Sequence, residues 1–221
     1  MPKEQKEFFC SILKNEQKVY SSLVKKVFFD ALSSAYPLFY EEVDKKKFEK
    51  IVCEFMRYGA KNEKMWKMPN EFRIFIKKKK LFREIAYVDD LLWFEWSEVK
   101  LMMKNYKTGL PQKFSYENEY RLSKSCVLKK LKYRVFEKGN FEEKGMYYLL
   151  GFYDFSEYRI VYKEISLLLY IFLKKMNKIG LKEAIKFISK KSEQSKKEVK
   201  KFFIETLDDL SLKQILHKKS I

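Results

Sequence analysis

Glu95 and Glu98 stand three residues apart, the first inside and the second just past a strongly apolar run, Tyr87-Val88-Asp89-Asp90-Leu91-Leu92-Trp93-Phe94-Glu95-Trp96. Two carboxylates on one helix face are the raw material of general acid–base catalysis, which needs a placed proton donor and a placed acceptor. Without a cleft or a metal partner the pair is weak support for such chemistry. The remaining inventory points the same way. His217 is the only histidine and lies near the end of the sequence, which leaves no histidine-based metal site or triad. Cys10, Cys53 and Cys126 are too widely spaced for a clustered metal motif, and an odd count argues against a disulfide framework. Six scattered glycines offer no phosphate-cradling loop. The sequence therefore predicts no catalytic residue, no metal ligand and no cofactor.

Asp90 and Glu95 need partners if they lie inside the apolar stretch, because an unpaired buried carboxylate is costly. One reading makes Asp90, Trp93, Glu95 and Trp96 a docking surface, with tryptophan as the typical anchor. The other, which is the default for such a pattern, makes them a core-lining helix whose carboxylates answer Lys or Arg inside a bundle.

Charge is the second handle. The chain has 221 residues, with 48 Lys+Arg against 30 Asp+Glu and a net of +18. That excess attracts something acidic, whether nucleic acid, a membrane surface or a peptide. It is uneven: residues 1–120 hold 24 basic and 18 acidic groups (net +6), and residues 121–221 hold 24 and 12 (net +12). Only six of the basic residues are arginine, the side chain suited to bidentate reading of guanine, so diffuse attraction fits better than base readout. The run Lys77-Lys78-Lys79-Lys80 reads as a solvated helix end or as a phosphate contact.

These residues must be held by elements that the pattern predicts. Tyr20, Leu23, Val24, Val27, Phe28, Ala31, Leu32 and Ala35 form one helical stripe that stops before Pro37, and an earlier helix is expected over Glu4 to Leu13. Asp44 is a candidate N-cap for a helix carrying Phe48, Ile51, Val52, Phe55 and Met56 and stopping at Gly59. Pro69 suits a first helical turn, and a long helix is expected from about Leu81 to Lys104. Residues 107–120 read as a linker inside an aperiodic stretch. Three strands follow, around Leu131 to Val135, Met146 to Tyr153 and Tyr158 to Lys163, with turns at Lys138-Gly139-Asn140 and Asp154 to Glu157. Ile165 to Leu173 is apolar nearly all round, as in a buried helix. A helix over Leu181 to Ser189 and another opened by the capping box Ser195-x-x-Glu198 come next, with a short final helix at Leu210 to Leu216. The fold class is α+β: an all-α bundle over 1–106, then a three-strand, three-helix, winged-helix-like domain over 121–221.

Tyr20, Ala35-Tyr36-Pro37, Phe48, Trp66-x-Met68-Pro69-x-Glu71-Phe72, Phe75-Ile76 and the stretch ending Glu95-Trp96 together resemble the HvfC/BufC-like family, described as a DNA-binding domain family, over residues 17 to 104. The resemblance implies a cytoplasmic accessory protein beside a multinuclear iron oxidase that modifies ribosomally made peptides. It also implies that the helical part docks on the enzyme, through Tyr36, Trp66, Asp90, Trp93, Glu95 and Trp96, and that the C-terminal part resembles leader-peptide recognition elements.

The expected function is that of a non-catalytic adaptor bringing a precursor peptide to an iron-dependent peptide-modifying enzyme. A small sheet edge beside a helix can take up an extended peptide as an added strand. Arg159, Val161 and Lys163 on the third strand, with Lys196, Lys197, Lys200 and Lys201 on the late helix, are the candidate groove. The alternative is a DNA-binding regulator using the same lysines on phosphates. The N-terminus lacks a signal-peptide apolar region and no run is long enough to span a membrane, so a cytoplasmic location without membrane contact is expected.

Overall fold

The computed structural model describes residues 18–59, 64–106 and 109–218, and it is a mixed helix-and-sheet, α+β structure. The helix expected over Glu4 to Leu13, Cys10, and the Tyr20 side chain lie outside the described residues. The chain divides into two units. One takes residues up to Met103 together with Tyr133–Glu143, and the other takes Lys104–Lys132 with Lys144–Ile221. Of the expected linker, the described residues 109–120 belong to the second unit.

In the first unit, α1 (Lys18–Ala35) ends before Pro37, which opens the short α2 (Pro37–Glu42). The Asp44 side chain accepts the Lys47 N–H at 2.7 Å and starts α3 (Lys45–Tyr58). Gly59, at φ +83°, stops it in a backbone region that suits glycine. A 3₁₀ turn at Met65–Lys67 leads into α4 (Met68–Lys79) with Pro69 in its first turn. The apolar stripes of these helices meet in an aromatic core. Phe48, Phe55 and Phe72 are fully buried, with Phe72 edge-on to Phe48 (5.9 Å) and Phe55 (5.3 Å).

The helix expected from Leu81 is shorter: α5 runs Val88–Met102. Lys80 and Phe82 both adopt left-handed backbone, which breaks the helix between them and Val88. Burial of Phe82 edge-on to Phe39 at 5.1 Å offsets the cost of that conformation. Periodicity alone cannot register such a reversal. Tyr133–Glu143, the connection between two strands, belongs to this unit: the Tyr133 N–H donates to Asp90 at 3.2 Å, and Tyr87 meets the rings of Tyr133 and Phe141 at 6.2 and 5.9 Å.

The second unit holds an antiparallel pair, β1 (Tyr120–Leu122) with β5 (Leu216–Lys218), and a three-stranded sheet of β2 (Cys126–Tyr133), β3 (Lys144–Asp154) and β4 (Arg159–Glu164) in that order. β4 pairs with β3 from Leu149↔Glu164 to Asp154↔Arg159. Leu150 and Phe152 face a core shared with α6 (Leu167–Ile179), α7 (Leu181–Ser192) and α8 (Lys196–Leu212), where Phe172 stacks on Phe203 at 4.3 Å. On the opposite face Gly151 makes room for Tyr162: a Cβ there would come within 2.5 Å of the tyrosine ring.

Two expectations are corrected here. No short helix covers Leu210 to Leu216. Instead α8 runs on to Leu212, Gln214 turns in left-handed backbone, and Leu216–Lys218 pairs with a strand almost a hundred residues earlier. α6 is not buried all round, since Leu167 is 49% and Leu168 36% exposed.

Candidate functional site

The residues expected to dock a partner are placed unequally. Tyr36 is fully buried, Glu95 is 3% exposed and Trp96 is 8% exposed, so none of the three presents a contact surface. They hold the first unit together. The Tyr36 hydroxyl donates to the Pro69 carbonyl at 2.6 Å, and its burial holds the phenol well above its ordinary range. Trp96 stacks on Trp66, centroids 6.2 Å apart and planes 12° off parallel. Trp66, Trp93 and Asp90 are half-buried and keep some surface.

Glu95 has the clearest role. Its two oxygens accept the Leu38 N–H at 2.6 Å and the Phe39 N–H at 3.1 Å, from the first turn of α2. That helix has Tyr36 at its N-cap with no side-chain cap, and Pro37 supplies no N–H. A carboxyl group from α5, more than fifty positions away, therefore satisfies the open donors of α2. The partner is backbone, not the Lys or Arg that the sequence led us to expect. Burial, reinforced by Glu98 and Glu41, outweighs the downward pull of the two backbone hydrogen bonds and leaves the Glu95 pKa raised to about 8.

In the second unit the expected binding residues fall into two places. Lys196, Lys197, Lys200 and Lys201 are exposed on the first two turns of α8, opened by the Ser195–Glu198 capping box. Tyr116 braces this end: its hydroxyl donates to the Lys200 carbonyl at 2.7 Å and its ring lies 5.0 Å below the Lys200 ammonium. Arg159, Val161 and Lys163 share one face of β4, at the sheet edge, with Val161 half-buried against the core and the two cations exposed. Lys163 lies beside Lys213, which Asp209 holds at 2.7 Å and Asp154 also faces. A helix rises ~1.5 Å per residue, so Lys213 is roughly 18–25 Å along the axis from the lysine cluster. The lysines and the β4 cations do not line one groove.

Lys196 and Lys197, in the first turn of α8, oppose its dipole, since cations are disfavoured near a helix N-terminus by ~0.3–1 kcal/mol each, and Lys200 and Lys201 add two more exposed cations one turn on. Among its first-turn residues only Glu198 is acidic. Lys77–Lys79 contrast with this: they occupy the last turn of α4, where the dipole welcomes them. Stability therefore explains the Lys77 run and leaves the α8 cluster unexplained. No local pattern marks Tyr116, because it sits in an aperiodic stretch and its packing partner lies 84 residues away.

A cleft of about 560 Å³ in the first unit is lined by Glu41, Glu42, Tyr87 and residues 138–143. Three of its four acids are engaged internally, Glu41 with Lys138 at 3.4 Å, Glu42 with the Tyr87 hydroxyl and Glu143 with Arg134 at 3.4 Å. Among the described residues no group of three or more His, Cys, Asp or Glu side chains is placed to hold a metal ion, and no helix is long and apolar enough to cross a membrane. No protein-family model matches the chain, and no curated protein matches it.

Proposed function

We propose that this chain is a non-catalytic adaptor that holds an acidic, extended precursor peptide on its second unit and engages an iron-dependent peptide-modifying enzyme through its first. The observation that carries this reading is the cluster of Lys196, Lys197, Lys200 and Lys201, exposed on the first two turns of α8, where the helix dipole opposes the first pair. An anion at that end would answer both the ammonium groups and the dipole. The three-stranded sheet β2–β4 followed by three helices supports a winged-helix-like description of the unit. Lysine, as a hydrated point charge, suits the carboxylates of a peptide that need not be read base by base. On the first unit, half-buried Trp66 with exposed Met65 beside it is the surface best suited to a partner. Tethering a substrate in this way raises its effective concentration at the enzyme.

The test is fluorescence anisotropy with a labelled Glu-rich peptide against the wild type and against Lys196→Glu, Lys197→Glu, Lys200→Glu, Lys201→Glu combined. Loss of about tenfold or more in affinity is expected. Unchanged affinity sinks the reading. A duplex DNA of defined sequence, bound tightly over random duplex and with a steep salt dependence, would replace it with a transcriptional regulator.

A further inference from the structure

The second unit exposes apolar side chains where β3 begins and α6 starts. Met146 is 65% exposed, Leu167 49% and Leu168 36%. The antiparallel register that pairs Leu149 with Glu164 continues through the Ile165 N–H to Tyr148 carbonyl bond of 2.8 Å, so the start of β3 meets the first turn of α6. Tyr148 and Tyr170 close that junction, with ring centroids 4.9 Å apart. Met146 lies on the Tyr148 side of its strand, two residues away, and Leu167 on the Tyr170 side of its helix, three residues away. The four side chains form one step, floored by two tyrosines and capped by two open aliphatic groups.

Two ammonium groups flank the step. Lys130 stands 6.0 Å from the Tyr148 ring and Lys174 stands 5.5 Å from the Tyr170 ring. Exposed aliphatic surface bordered by cations is a mixed site: the apolar part gains by leaving water, and the cations favour carboxylates on either side of whatever covers it. An unbroken acidic chain would leave the aliphatic groups wet, and a neutral apolar segment would leave the lysines unanswered.

We propose that this step seats an acidic polypeptide segment in which apolar residues alternate with carboxylates, the apolar side chains covering Met146 and Leu167 and the carboxylates meeting Lys130 and Lys174. This deepens the adaptor reading, on which it rests, by naming a sequence pattern in the peptide that the α8 lysines alone do not select. Charge complementarity commits the site to such a peptide over a second copy of this chain, whose net charge is +18.

The experiment compares two labelled peptides of equal length and charge, one alternating Glu-Leu and one alternating Glu-Ser, by anisotropy with the full chain. The wild type should bind Glu-Leu about tenfold tighter. Met146→Ser with Leu167→Ser should bring the ratio of the two affinities to about one and leave the melting temperature unchanged, because both positions are exposed and neither substitution alters the charge beside Lys130 and Lys174. Lys130→Ala with Lys174→Ala should weaken both peptides. Equal binding of the two peptides by the wild type, or a preference that survives in the Met146/Leu167 variant, overturns the step and leaves the adaptor reading standing. Failure of both peptides to bind at all overturns both readings. Self-association that the Met146/Leu167 variant abolishes would assign the step to a second copy and overturn the proposal.

Discussion

Glu95→Gln should change not only how stable the first unit is but how that stability depends on pH. Glu95 is 3% exposed, accepts from Leu38 and Phe39, and has its pKa raised from 4.5 to about 8. Between those values the folded protein keeps a proton on this carboxyl and the unfolded chain does not. The folded state then binds more protons, so stability falls as pH rises. The contribution is fully present below pH ~4.5 and is lost by pH ~8, at ~1.4 kcal/mol per pH unit, for a total on the order of 4–5 kcal/mol. Gln keeps one acceptor for one of the two N–H groups but turns an amide donor toward the other, which costs about 1–3 kcal/mol at low pH. It also removes the titration. At pH 5.5 the variant should be the less stable protein, and by pH 8.5 the gap should close or reverse.

Background titration in this window is small because His217 is the only histidine. All three tryptophans, Trp66, Trp93 and Trp96, lie in the first unit, so urea unfolding followed by tryptophan fluorescence reports on the unit that contains Glu95. Parallel pH profiles for wild type and Glu95→Gln across pH 5 to 9 would refute the reasoning, because the carboxyl would then be titrating alike in both states.

Ser195→Ala should cost about 1 kcal/mol by removing the acceptor of the Glu198 N–H and half of the capping box on α8, measured by thermal unfolding. Gly151→Val should cost more, about 1–3 kcal/mol, since its Cβ would fall 2.5 Å from the Tyr162 ring; a paired Gly151→Val, Tyr162→Ser variant should recover part of the loss. Gly180→Ala should destabilise by about 1 kcal/mol or more, because Gly180 sits at φ +90° and the new Cβ would lie 3.0 Å from Glu119 Oε2, which accepts the Leu181 N–H. Tyr36→Phe leaves the buried Pro69 carbonyl without its 2.6 Å donor and should cost about 1–3 kcal/mol in the tryptophan-monitored transition.

The candidate site was legible in composition and only partly in place. The lysine cluster of α8 and its capping box are local features, and local features survive into the fold: Ser195, Glu198 and the four lysines stand on the helix that their spacing implied. Trp96 and Tyr36 show the limit. The family resemblance implies docking through both, while the default reading of the Trp96 segment is a core-lining helix; Trp96 stacks on Trp66 and Tyr36 is sealed against Pro69. Nothing in the spacing of an aromatic residue says whether its neighbour is solvent or another helix.

From sequence alone came the residues that begin and end helices, Asp44, Gly59, Pro69 and Ser195, because caps and stops depend on the few bonds a residue makes with its own chain neighbours. Only the tertiary structure decided three further things: that Glu95 caps α2 from another helix, that Leu216–Lys218 becomes a strand against Tyr120–Leu122, and that Tyr133–Glu143 folds with the helical unit. Each rests on contacts between distant segments, whose free energy comes from burial and from satisfying backbone donors and acceptors that a local pattern does not record.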